Sequence, residues 1–132
     1  MGTSNAGIAL IGRVLIALIF AYFGYLKALH FDATIGYFAK WGFPLPQVAA
    51  ALAVLFELGG GILLILGWKT RAVAWLLVLY TAIATAVAHR YWSYPADQSF
   101  NQMSHFFKNL SLIGALLYLA AAGPGPLAVD RR

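Results

Sequence analysis

The chain has 132 residues, of which 10% are charged, and the apolar class AVILMFWYC makes up 62% before its 13 glycines are added. Soluble domains carry about 25% charged residues, and a 14.3 kDa chain has too much surface to cover with so few, so a soluble monomer is excluded and lipid is the expected solvent. The absence of cysteine excludes disulfides, zinc–thiolate sites, cysteine-held iron–sulfur clusters and c-type haem, and the net charge of +5 is scattered between apolar runs, without the basic cluster that nucleic acid requires.

In chain order, residues 7–29 form the first expected span, interrupted by Arg13. It is expected to stay on the chain rather than be cleaved as a signal peptide, because no basic side chain precedes it and Lys27 stands where cleavage wants small residues. Residues 30–45 follow, with Phe31, Ile35, Phe38 and Trp41 at helical spacing and Asp32 placed to cap the start. They predict a short helix lying in the membrane interface. The second span, 46–68, carries Glu57 as its one charge before the turn, and Gly67–Arg71 is a tight turn with two cations. The third, 72–89, is uncharged and closes on His89. The stretch 90–103 is polar and aromatic and suits the headgroup zone, and the fourth span, 104–122, has Lys108 near its start. Runs near 20 residues match about 30 Å of hydrocarbon, and period-two alternation is missing, so the expectation is one all-α membrane domain over 1–132, a transmembrane four-helix bundle. Even-numbered crossing puts both termini on one side with Arg13, Lys69, Arg71, Arg131 and Arg132, against Lys27, Lys40, Arg90 and Lys108 on the other. That bias tilts the termini toward the cytoplasm of a cell (inner) membrane.

Read at spacing three and four, each span lines up its small and polar residues. The stripes are Arg13, Ala17, Phe20, Gly24 and Lys27; Ala50, Ala53, Glu57, Gly60 and Leu64; Val78, Thr81, Thr85 and His89; and Ser104, Lys108, Ser111, Ala115, Tyr118 and Ala122. They predict a bundle with a polar interior, small residues letting helices approach closely. A rise of about 1.5 Å per residue places Glu57 about 15 Å from either end of its span. Arg13 is its nearest expected partner, as a structural ion pair. Lys27, His89, Lys108 and Asn109 lie toward the other end, where they either snorkel or cap, or line a cationic, ligand-binding pocket with Glu57 at its floor. No metal set and no catalytic triad can be assembled from four acids spread over distant segments.

These residues, in this order, resemble the DoxX family of small four-span membrane proteins. The resemblance rests on Arg13, Gly24-Tyr25-Leu26-Lys27, Gly42-Phe43-Pro44-Leu45-Pro46, Glu57-Leu58-Gly59-Gly60-Gly61, Leu66-Gly67, Arg71, His89, Lys108-Asn109 and the tail from Gly123 to Asp130. The tail has Ala128 where the family commonly has serine. The family takes its name from a subunit of a thiosulfate:quinone oxidoreductase, so the resemblance implies a membrane subunit serving quinone-linked or sulfur redox chemistry.

The reading that follows is a subunit without a catalytic centre of its own, holding a quinone-like or other amphipathic ligand through Lys27, Glu57, His89, Lys108 and Asn109. The redox centre would then sit on a soluble or membrane partner protein. Two alternatives stand beside it: a scaffold for soluble redox proteins, and a small transporter or proton pathway. Small-residue faces also point to a homo-oligomer.

Overall fold

In lipid, a backbone can satisfy its polar groups only internally, so long apolar runs become helices. The computed structural model describes residues 3–130 and is built of helices joined by short turns and a non-helical tail, with no strand among them. Helix α1 (Thr3–Leu29) is followed by α2 (Phe31–Lys40). Next comes a broken crossing made of α3 (Pro46–Val54), a π-helical turn at Leu55–Gly59 and α4 (Gly60–Leu66). Helix α5 (Thr70–Ala88), a 3-10 turn at Tyr91–Ser93 and α6 (Ala96–Ala122) complete the chain. Helices α1, α3 through α4, α5 and α6 are each long and apolar enough to cross a membrane, so the four-span bundle read from sequence is the observed fold.

Local signals explain most ends. Pro46 opens α3 at its first turn, where a missing N–H costs nothing. Gly67, with φ of 75°, closes α4 in the left-handed region, and the N–H groups of Gly67 and Trp68 both return to the Leu63 carbonyl. The second span therefore ends at Leu66 rather than at residue 68. Helix α6 begins at Ala96, eight residues before the expected 104. Pro95 precedes it and Asp97 lies in its first turn, both ordinary start signals that the polar composition of 96–103 masks. Asp32 does not cap α2. His30 holds that position without a side-chain bond, and Asp32 sits inside the first turn, where its charge still favours the helix dipole.

Helix α1 packs along the π-turn and α4, and α5 pairs with α6. The first crossing is close because a glycine faces backbone on each side. A Cβ on Gly24 would lie 2.4 Å from the Leu58 nitrogen, and one on Gly61 would lie 2.5 Å from the Ala21 nitrogen. The core comprises Ala17, Phe20, Leu64, Val73, Ala74, Leu77, Leu116, Leu119 and Ala120. The outer faces carry Ile11, Leu15, Leu79 and Phe107 in the open, as lipid contact requires.

The expected inward stripes hold on three of the four spans. On α6 the stripe turns outward: Lys108 and Ser111 are exposed, and Tyr118 is 76% exposed. The reason is packing. Helix α6 buries Leu116, Leu119 and Ala120, all in its second half, and the stripe of small and polar residues lies about a third of a turn round from that face.

Candidate functional site: a buried ion pair beside an aromatic groove

Glu57 sits in the π-turn with only 8% of its surface exposed. Its partner is Lys27. The ammonium Nζ lies 2.8 Å from Oε2 and donates to Oε1 at 3.1 Å. Tyr80 on α5 faces the same carboxylate, and its ring stands 6.2 Å from that of Phe56. Three elements thus converge on one acid. The contact follows from the glycine crossing: Gly24 brings α1 against Leu58, and Lys27, one turn further on, then reaches across to Glu57. A π-turn also re-aims the residues it contains.

The expected Arg13–Glu57 pair is not formed. Arg13 and Lys27 are 14 residues apart on α1, which separates them by about 21 Å along the axis. Since Lys27 meets Glu57, Arg13 lies level with the far end of α4. It is 2% exposed and is consumed by carbonyls there. Nε donates to Leu64 at 2.8 Å, the remaining nitrogens to Ile65 at 3.2 Å and Leu127 at 2.9 Å, and also to Pro124. The last carbonyls of a helix have no intrahelical donor, and a guanidinium carries five N–H groups in a fixed fork. Arg71 does the same for α6, donating to Ala120, Ala121 and Ala122. The tail closes over this end: Val129 and Asp130 donate to Leu66 and Gly67, and an Asp130 oxygen accepts from the Lys69 N–H at 3.2 Å.

The remaining expected site residues lie at the end of α5 and on α6, and among the described residues none of them bonds Glu57. His89 Nδ1 bonds the Gln102 side-chain oxygen at 2.7 Å, and its ring stacks on His105 at 5.0 Å. Asn109 donates to the Thr85 hydroxyl at 2.9 Å, which in turn donates to the Thr81 carbonyl at 2.7 Å. Lys108 points away from the interior. So the structure joins Lys27 with Glu57, joins His89 and Asn109 to α5–α6 packing, and leaves Lys108 outside both groups. Among the described residues no group of three or more His, Cys, Asp or Glu is placed to hold a metal ion.

Lys27 has a second surface. Its side chain is 34% exposed against 10% for Glu57, and it forms part of the wall of a 180 Å³ groove between α1 and α2, with Phe23, His30, Tyr37, Phe38 and Trp41. Trp41 stacks on Tyr37 at 5.9 Å and meets Phe38 edge-on at 5.4 Å. The Thr34 hydroxyl holds α2 against α1 through the carbonyls of Lys27 and His30, at 3.0 and 3.1 Å. Sequence reasoning named the aromatic stripe of α2 and Lys27 separately but did not join them, and it missed Tyr80, which sits beside Thr81 of the polar stripe.

Comparison with known proteins agrees with this architecture. A family model described as DoxX matches residues 8–90. Inner membrane protein YphA of Escherichia coli is 40% identical over 99% of this chain and 94% of its own length. Inner membrane protein YqjF of the same organism is 30% identical over 92% of this chain and 88% of its own. ER-derived vesicles protein ERV29 of Saccharomyces cerevisiae is 27% identical over 92% of this chain, which corresponds to 32% of that longer protein. No solved structure matches.

Proposed function

The chain belongs to the DoxX family of multi-pass membrane proteins, and from that premise we propose that it is a ligand-binding membrane subunit of a redox system, its ligand a quinone-like amphipathic ring. Both bacterial relatives are named as inner membrane proteins, and the same membrane is assigned here. The observation that carries the reading is Lys27 standing between a buried carboxylate and an aromatic groove. A volume of 180 Å³ falls below the 300 Å³ or so of a typical small-molecule pocket. It therefore suits a single flat ring whose apolar tail remains in lipid. Phe23, Tyr37, Phe38 and Trp41 provide faces for that ring. The Lys27 ammonium, already bonded to Glu57, has a further N–H to offer a carbonyl at the rim. A quinone, when bound, takes up protons as it is reduced; the Lys27 ammonium carries exchangeable protons, and the Glu57 carboxylate beside it accepts them. Electrons come from a partner protein, as this chain's own residues supply proton-bearing groups and orientation.

The test is equilibrium binding of a short-chain quinone analogue to protein purified in an uncharged detergent. Wild type binds; Lys27→Met keeps the stem, removes the donor and weakens binding at least tenfold, while Lys27→Arg retains part of it. Equal binding by wild type and Lys27→Met overturns the reading. A second reading, a scaffold for soluble redox proteins, is favoured by the α5–α6 link and the start of α6, where Trp92 and Phe100 are 64% and 74% exposed. Co-purification lost on replacing both rings, with quinone binding absent, is the result that selects it.

A further inference from the structure

A second hollow, separate from the groove above, opens between the end of α2 and the segment that follows α5. Its volume is 220 Å³, and Lys40, Trp41, Val87, Arg90, Ser93 and Tyr94 line it. Two cations from segments 50 residues apart in sequence face one space. Neither makes an ion pair or a side-chain hydrogen bond among the described residues. Two like charges held together without a counter-ion repel, and the fold does nothing to part them. Instead it fixes the segment that carries Arg90. The Ser93 hydroxyl and backbone N–H both donate to the Arg90 carbonyl, at 2.8 and 3.0 Å, and the Tyr94 hydroxyl donates to the Ala88 carbonyl.

We propose that this hollow is an anion site for a phosphate group, held by Lys40 and Arg90. The guanidinium offers a planar pair of donors and the ammonium a point charge, the combination that phosphate oxygens take. The space admits a phosphate with its first waters and excludes a nucleotide. The site lies where the chain leaves the membrane, beside Trp41 and Tyr94, residue types that favour the headgroup level. One phosphate chemistry therefore has two sources there, the headgroup of an anionic lipid and a free phosphate ion. The site does not depend on the quinone reading, since neither cation lines the first groove.

The experiment is native mass spectrometry of the full-length protein in uncharged detergent, titrated with phosphatidylglycerol, with phosphatidylcholine as the net-neutral comparison, in the presence and absence of inorganic phosphate. Wild type retains phosphatidylglycerol preferentially. Each basic group near a membrane surface contributes enough that losing two reduces retention by about thirtyfold, so Lys40→Gln/Arg90→Gln loses the preference. Lys69→Gln, an exposed cation at the opposite end of the bundle, keeps it. Both altered side chains are exposed, and a thermal melt matching wild type accompanies the comparison. Retention unmoved by millimolar phosphate assigns the headgroup as the source; phosphate binding with no lipid preference assigns the free ion. Either supports the site. Binding of neither, equal retention by the double variant, or an equal loss in Lys69→Gln overturns it.

Discussion

Removing either partner of the Lys27–Glu57 pair must have unequal consequences, because the two are unequally buried. The Glu57 side chain is 10% exposed and that of Lys27 34%. Lys27→Met leaves a carboxylate in the bundle without its counter-charge. Breaking a fully buried pair this way costs roughly 3–5 kcal/mol, and the partial exposure of Lys27 reduces that to about 2–3 kcal/mol. Glu57→Gln is milder. The amide keeps the shape, while the freed ammonium extends toward the exposed side on its flexible stem, for a loss of about 1 kcal/mol. The double variant removes both charges, so it should cost no more than Glu57→Gln alone, giving a coupling of about 2–3 kcal/mol between the sites. Reversible unfolding in mixed micelles, with denaturing detergent as the variable, measures all three differences. Glu57→Gln costing as much as Lys27→Met, or strict additivity in the double variant, refutes the account of Lys27 as the counter-charge to a buried acid.

Two further outcomes follow from the same geometry. Gly24→Ala and Gly61→Ala place a methyl under 3 Å from the opposing backbone, a strain of about 1–3 kcal/mol that should exceed the roughly 1 kcal/mol gain in helix propensity. Gly114→Ala, which meets nothing within 4 Å, should be neutral or stabilising in the same unfolding assay. Arg13→Lys keeps the charge and loses the fork that reaches four carbonyls; it should cost about 2–4 kcal/mol, whereas an ion-pair role would have tolerated it.

The contrast between Arg13 and Glu57 shows where the sequence stopped being informative. Composition, run length and spacing were enough for four spans, for a short helix between the first two, and for inward stripes on α1, α3 through α4, and α5. Each of those rests on local properties of one segment. Even the depth of Glu57 followed from counting residues. The ion pair did not, because it depends on register between two helices, set by Gly24 against Leu58 and Gly61 against Ala21. Glycines mark close approach without naming the partner. The outward stripe of α6 failed for a related reason. Small and polar residues turn fully inward only where a neighbour covers them closely, and the buried residues of α6 all fall in its second half. Arg13 was legible as unusual but not as a cap, since its acceptors are backbone carbonyls, which leave no trace in side-chain identity.

The cations of this chain divide by donor geometry. The two guanidinium groups at the end of the bundle closed by the tail, Arg13 and Arg71, are committed to carbonyls of α4 and α6. Their forks match orphan helix-end acceptors that a lysine could serve only one at a time. That end has its charge used internally and is covered by residues 123–130. The opposite end differs on each count. Lys27 shares itself between Glu57 and an aromatic groove, and Lys40 and Arg90 face a hollow without a counter-ion. Trp41 lines both spaces, at the turn where α2 ends. If a ring occupies the first and a phosphate the second, both ligands touch one indole, so filling one space should alter the affinity of the other, and by linkage the effect must be equal in both directions.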